Sequence, residues 1–559
     1  MPCRLASTSI PALRTLALGL GLLWITSAWA QPRWVRLSYE GDASSSVTVS
    51  WNTDSATDSE IVRYGPTTQY GTEVSATDAP IPLPGTLGFV HQVQILGLEP
   101  ETEYHYSVGG PGAWSADAIF RTAPADRCGG PLRFVALGDG RSQDDSGVDD
   151  KWHEILLDAV AHDPLFILDT GDLVKDGKSD PQWVDWLTET DAFNPYFPHQ
   201  PSIGNHDDDT MTGDGAMYND IFALPRNLSS GTEDFYWFTA GDAIFVAISS
   251  TTYNQDAFAQ QAAWLDQVLT DNPRRWKFVW MHHPPYTSHA NFFGTEFNHP
   301  PNEVNQNAAL VPIFDKHHVD VVFAGHNHYY ERFDPLNYNP GDVEQGQLAS
   351  GFDTGTVYVI TGGAGAFTYD EFDLGGVTID LIDWVCSPFT AARGSAICSG
   401  KHHYTVVEIV DNVLTFEAIT TRKQNFGDET PFTIETFQIT KPDLGPCPPP
   451  DPTDGGTGDG GPGDGGADGG ADAGPDAGGE PDAGTDPDAG LPDGGVPDGS
   501  TPDGGTITDA GTTGDGGGGG TEAKGCGCES EGPAGGGLAL LLAGLLGLAL
   551  PGRRRRTGD

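Results

Sequence analysis

Three observations in this chain predict a small all-β sandwich, then an α/β core with buried sheets, then a disordered acidic linker and a C-terminal hydrophobic tail. Short alternating strands fill residues 31–125, and apolar strands alternate with helical stretches over 131–441. From 448 to 525 the chain is almost wholly Asp, Gly, Pro, Thr and Ala. With 559 residues, 13 Trp, 16 Tyr and 26 Phe, there is enough aromatic surface to fill at least two cores.

Residues 1–30 read as a signal peptide: Arg4 and Arg14, the apolar run "TLALGLGLLWI", and "AWA" before Gln31. A membrane anchor needs a longer apolar span. Export makes disulfides permissible. Of the four cysteines in the middle of the chain, Cys386 and Cys398 are close enough to close one loop, while Cys128 and Cys447 flank the long middle segment; three connectivities stay open.

In the first segment "SSVTVSWNT", "EIVRYG", "HQVQILGL" and "EYHYSVGG" are strands separated by Gly, Pro and Asp turns. The piece "GLEPETEYHYSV", a tyrosine strand after a Leu-x-Pro turn, resembles a fibronectin type III module. In the second segment the strands are "LRFVALGD", "LFILDTGD", "QPSIGNHD", "WKFVWMHH" and "VDVVFAGHNH"; "DDKWHEILLDAVAHD", "AFAQQAAWLDQVLTD" and "NEVNQNAALVPIFDK" have helical apolar spacing. Each of the five strands ends in Asp, Asn or His, and ligand-binding groups of open α/β sheets collect at carboxyl ends of strands.

The Asp-rich segment buries too little apolar surface to order itself, so 448–525 is a disordered spacer. Residues 526–559 join Cys526 and Cys528 to an apolar run and four arginines. That combination resembles the myxobacterial C-terminal sorting tag (MYXO-CTERM), which implies processing near the cysteine pair and attachment at the cell surface or outer membrane; release to the extracellular space is the other destination of an exported chain. A net charge of −51 leaves no basic surface for a phosphate backbone, which disfavours nucleic acid as a bulk electrostatic partner, and none is expected. A small phosphorylated substrate needs local positive charge, such as metal ions.

The strand ends supply that chemistry. In order they are Asp139 in "GDGR", Asp172 in "GDLV", Asn205 and His206 in "GNHD", His282 in "MHHPPY", and His326 with His328 in "GHNH". Carboxylate, amide oxygen and imidazole together suit Fe, Mn or Zn, and the absence of cysteine argues against a thiolate zinc site. Alternation along an extended segment points His326 and His328 to one side and Asn327 to the other, and the same alternation turns His283 away from the direction of His282.

As a set these motifs resemble the calcineurin-like metallophosphoesterases, and the preceding sandwich with "GHNHYYER" resembles the purple acid phosphatase branch, over Trp34 to Lys441. The resemblance implies a four-layer αββα sandwich and a dinuclear centre of two divalent or trivalent cations, about 3.5–4 Å apart. Asp139 and His328 would bind the first ion, Asp172 would bridge, and Asn205, His282 and His326 would bind the second. His206 matches the substrate-contacting histidine, and His289 lies in the loop where proton-donating histidines occur. The implied activity is acid-phosphatase-like hydrolysis of phosphate monoesters by a metal-bound hydroxide. A phosphodiesterase or nucleotide hydrolase on the same scaffold is the alternative, decided by the loops 287–305 and 337–354; a surface adhesion protein with a relic phosphatase fold is the alternative of another class.

Two positions depart from the family pattern. Arg141 stands where many members have a histidine, and Lys175 where purple acid phosphatases have a tyrosine, so the first metal lacks an obvious fourth ligand and no purple colour is expected. Arg141 either forks onto a phosphate oxygen or forms a surface salt bridge; Lys175 is read as solvated.

Overall fold

The structure is a computed structural model describing residues 31–56, 60–142, 149, 151–207, 216–226, 232–251, 255–288, 302–368, 371–373 and 378–445. The signal segment, His289, Cys447, the acidic spacer and the C-terminal tail lie outside the described residues.

The α/β region is built on two facing mixed sheets. The first has six strands in the order His199–Pro201, Phe166–Asp169, Leu132–Leu137, His403–Val410, Val413–Thr420 and Thr433–Thr440. Its first three strands are parallel and the rest antiparallel. The second has seven, in the order Tyr236–Ala240, Ala243–Ile248, Trp276–Met281, Val321–Ala324, Val357–Thr361, Tyr330–Phe333 and Ser395–Ser399. Its interior strands from Ala243–Ile248 to Val357–Thr361 are parallel.

Aromatic side chains fill the space between the sheets. Phe134 of the first meets Phe245 and Phe278 of the second edge-on, each at 5.2 Å, and Phe323 stacks on Phe416 at 6.3 Å. The alternation of the strand sends Ile244, Val246 and Ile248 the other way, where they pack with Leu265 and Leu269 of helix Gln255–Asp271 and with Leu310 and Phe314 of helix Asn302–His317. Helix Trp152–Val160 buries Trp152, Ile155 and Leu156 against the first sheet. Helix, sheet, sheet and helix make four layers. Sheets covered on both faces have no solvent-facing period, which is why Phe166–Asp169, Ala243–Ile248 and Val321–Ala324 are buried throughout.

All three expected helices are present. A fourth, Asp180–Thr190, carries Pro181 in its first turn and buries Trp183, Trp186, Leu187 and Thr190, an i, i+3, i+4, i+7 stripe. Of "QPSIGNHD" only Gln200 and Pro201 are extended, in strand His199–Pro201; the rest is loop and turn.

The N-terminal domain is a sandwich of a four-stranded sheet, Arg33–Ser38, Ser46–Thr53, Phe89–Leu96 and Ile81–Pro82, on a five-stranded one that includes Ile61–Gly65 and Glu103–Gly110. Its core is not separate from the α/β core, as the sequence reading expected. One apolar cluster runs from Trp51 and Tyr106 to Phe134 and Phe245. The cause is the first strand and the residue that follows it: Tyr39 packs on Phe238 at 5.5 Å, and the buried Arg36 donates from Nε to the Ile221 carbonyl at 2.9 Å. Cys386 and Cys398 are disulfide-bonded as expected, and Cys128 is in a disulfide too.

Candidate metal centre

The five strand ends meet at one edge of the two sheets, in tight turns. Asp139, Asp172 and His326 have φ of 62°, 57° and 66°, a left-handed backbone that non-glycine residues rarely adopt and that clusters at functional sites. Glycines let the turns approach one another. A Cβ on Gly204 would stand 2.2 Å from the Asp172 nitrogen, and one on Gly325 2.4 Å from Asp139 Oδ2.

Buried carboxylates brace these turns. Asp207 accepts the backbone N–H of Asp172 and Gly204 on one oxygen and those of Leu173 and Val174 on the other, all within 3.1 Å. Asp207 therefore ties the loop of Asp172 to the loop of Asn205. Beneath them Asp169 accepts from the Gly171 N–H and pairs with His199, both nearly inaccessible.

The "GHNH" segment is not extended. Asn327 N–H donates to the Gly325 carbonyl and Tyr329 N–H to the Asn327 carbonyl, each at 2.7 Å, so two tight turns follow one another. This corrects the strand alternation expected there, because the left-handed His326 cannot continue a strand. Both imidazoles still enter the crevice, while Asn327 donates away from it to Thr287 Oγ1 at 2.8 Å. From Thr287 the contacts run through the Tyr329 hydroxyl to buried Glu331, which also accepts from the Ser288 N–H and hydroxyl and the Ser395 hydroxyl. Glu331 was not singled out from sequence. Its place in "GHNHYYER", two residues after a buried Tyr329, was the available signal.

Four donor atoms converge. His282 Nε2 lies 2.9 Å from Asn205 Oδ1 and 3.2 Å from Asp172 Oδ1; His326 Nδ1 lies 3.0 Å from the same Asn205 oxygen and 3.3 Å from His282 Nε2. His282 Nδ1–H donates to the Thr170 carbonyl at 2.9 Å, which leaves a neutral ring's Nε2 lone pair aimed at the Asn205 oxygen. Acceptors facing acceptors are repulsive unless a cation lies among them. Metal–ligand bonds of about 2.0–2.2 Å give donor-to-donor edges of about 3–3.5 Å, which this set matches. Burial lowers the pKa of His282, but the Asp172 and Asp139 carboxylates outweigh it and raise it to about 9. Against its own burial, Asp172 is held well below the usual carboxylate range by His282, His206 and Arg141.

The donors of the other position are arranged differently. Arg141 Nε donates to Asp172 Oδ2 at 3.0 Å, and its Nη2 lies 3.4 Å from His328 Nε2. His328 Nδ1 faces the Phe367 carbonyl at 3.1 Å, so Nε2 is the nitrogen turned to the guanidinium. Asp139 accepts the His326 N–H on both oxygens, at 3.1 and 2.9 Å. His328 Nε2 also lies 3.5 Å from Asp139 Oδ1, and Asp139, Asp172 and His282 place a ligand atom each within 4.8 Å of one another, so donors for a cation stand in this half too, with Arg141 among them.

His206 is partly exposed at the mouth; its Nδ1 meets the Lys175 carbonyl at 2.7 Å, and its Nε2 is 4.0 Å from Asp172 Oδ2. Lys175 is half-buried and not fully solvated. His283 packs and hydrogen-bonds, to Ser250 Oγ at 3.0 Å, yet its ring lies 4.3 Å from that of His326, and together with His282 the three histidines place a nitrogen each within 4.8 Å.

Residues 32–122 match the family model of the purple acid phosphatase N-terminal domain, and residues 132–330 that of the calcineurin-like phosphoesterases. The chain carries a calcineurin-like phosphoesterase domain preceded by a purple acid phosphatase N-terminal domain. An uncharacterized protein of Mycobacterium tuberculosis is 27% identical over 378 residues, 59% of this chain and 69% of that protein. Purple acid phosphatase 23 of Arabidopsis thaliana is 27% identical over 288 residues, 45% of this chain and 59% of the plant enzyme. The purple acid phosphatase of Glycine max is 28% identical over 294 residues, 50% of this chain and 60% of it. Among solved structures, a purple acid phosphatase from yellow lupin seeds superposes with a TM-score of 0.57 at 18% identity, over 74% of this chain and 75% of that one. PhoD gives 0.54 at 12% identity, over 74% and 91%. At these identities the two likenesses are of fold. The family match supports a metal-dependent phosphoester hydrolase.

Proposed function

We propose that this chain is an exported acid-phosphatase-like enzyme that hydrolyses small phosphate monoesters. The observation that carries the reading is the convergence of Asp172 Oδ1, Asn205 Oδ1, His282 Nε2 and His326 Nδ1 at spacings of 2.9 to 3.3 Å. Such a set holds Fe, Mn or Zn, and a bound cation supplies Lewis acidity to a phosphoryl oxygen and lowers the pKa of water. The dinuclear pattern of the family divides unevenly here, since Arg141 meets Asp172 and His328 where the other ion belongs.

The chain's own residues have distinct tasks. Asp172, Asn205, His282 and His326 orient the ion, with Thr170 and Asp207 fixing the tautomer and the turn. Arg141 places a permanent positive charge beside the phosphoryl position. His206, whose Nδ1 is held by the Lys175 carbonyl, has Nε2 to carry a proton to the leaving alkoxide. His289, in the adjoining loop, is a second proton carrier in this reading.

Export is supported by the Cys386–Cys398 disulfide, a bond that persists in oxidising compartments; the N-terminal apolar run and the Cys-apolar-Arg tail extend the reading to attachment at the cell surface. The test is a panel of mono- and diesters assayed with wild type and Asp172→Asn. Hydrolysis of monoesters lost in the variant is expected. Preference for diesters, or undiminished turnover in Asp172→Asn at full metal content, overturns the reading.

A further inference from the structure

Resting on the metal-centre reading above, we propose that Arg141 takes the place of the first cation: the chain keeps one resident metal ion, at Asp172, Asn205, His282 and His326, with the guanidinium as the fixed charge beside it. Asp172 is the hinge of this arrangement. Its Oδ1 faces His282 Nε2 at 3.2 Å, on the side of the convergent donor set, and its Oδ2 accepts from Arg141 Nε at 3.0 Å. A carboxylate that elsewhere bridges two ions thus bridges an ion position and an arginine.

The other two donors of the first position, His328 Nε2 and Asp139 Oδ1, lie 3.5 Å apart; the first meets Arg141 and the second a backbone N–H. His328 has its Nδ1 on the Phe367 carbonyl and turns its Nε2 lone pair to Arg141 Nη2 at 3.4 Å. That lone pair serves either a guanidinium N–H or a metal, not both. Both oxygens of Asp139 accept the His326 N–H, so this carboxylate holds the turn that delivers His326 to the ion. Arg141 itself is 13% exposed, anchored by its backbone N–H on the Asp172 carbonyl and by Nη1 near the Ser142 carbonyl at 3.3 Å. A guanidinium that has lost most of its water and is paired with a carboxylate is not displaced by a cation without leaving two like charges close together.

The sequence points the same way independently. The first position lacks both the histidine and the tyrosine that would complete it, having Arg141 and Lys175 there. A site short of ligands and holding a positive side chain has lost affinity for a metal twice over.

The test uses the full chain, stripped with chelator, reloaded with Mn2+ and desalted. Elemental analysis counts the ions retained, and electron paramagnetic resonance tells a lone Mn2+ from an exchange-coupled pair. The spectrum matters because the acidic spacer also attracts cations, but only a carboxylate-bridged pair is coupled. Wild type is expected to keep one tightly held ion with an uncoupled spectrum, and Arg141→His to gain a second ion and a coupled spectrum. A coupled pair in wild type overturns the role of Arg141 and leaves the phosphatase reading standing. Retention of no ion above that of a His282→Ala control overturns both. The wild-type spectrum decides the question even where Arg141→His fails to fold.

Discussion

Residues at the strand ends divide into those that would touch the ion or the substrate and those that hold them. His206, partly exposed with its Nε2 4.0 Å from Asp172 Oδ2, belongs to the first kind. Replacing it with Asn is expected to lower kcat by about 10²–10⁴-fold for alkyl phosphates. The deficit should shrink for p-nitrophenyl phosphate, whose leaving group needs no proton; an equal loss on both substrates would assign His206 to binding alone. Asp207 belongs to the second kind. Asp207→Asn exchanges an oxygen acceptor for an N–H donor among four backbone donors, and metal affinity measured by titration calorimetry should fall about 10–100-fold. The ligand types were legible in the sequence because Asp139, Asp172, Asn205 and His326 each follow a glycine and His282 directly follows an apolar strand. What Arg141 touches was not, since its partners lie 31 and 187 residues away. A salt bridge was one of its two expected roles, but the expected surface site is a buried one at Asp172.

At the scale of elements, the loop closed by Cys386 and Cys398 is joined to the centre through Ser395, which donates to Glu331, the carboxylate bracing the "GHNH" turns. Removing the bridge with a Cys386→Ala, Cys398→Ala double variant is expected to lower unfolding free energy by about 3 kcal/mol, the entropy of a loop of this length. Denaturant melts would measure it, and an unchanged midpoint would mean the loop is held by its other contacts. The bridge was legible from spacing in an exported chain. The turn conformation at His326 was not, because alternating residue types in "GHNH" are compatible with a strand, and only the close approach of Asp139, which caps the His326 N–H, selects the left-handed form. Helix Asp180–Thr190 was missed, because an acidic, tryptophan-rich stretch after a ligand loop resembles loop in hydrophobicity; the Trp183, Trp186, Leu187 spacing was its signal.

For the whole molecule, the sequence carried the order of sandwich and α/β core but not their fusion, since a strand such as Arg33–Ser38 reads the same whether one face or both are buried. The folded core also sets a pH limit. His402 and His403 are buried as neutral rings, and burial pushes both down to about 4. The unfolded chain takes up these protons near pH 6.5 and the native one only near 4, so stability present above 6.5 is lost as pH falls toward 4. The loss is on the order of 3 kcal/mol for each ring. Thermal melts across that window should show the decline; a flat profile would mean the rings ionise within the fold. The most direct test of the central claim is metal content and p-nitrophenyl phosphate turnover measured on the same preparations of wild type and His282→Ala. Wild type should retain metal and turn over, and the variant should lose both together. Full turnover in a variant that has lost its metal would contradict the assignment of the chemistry to this site.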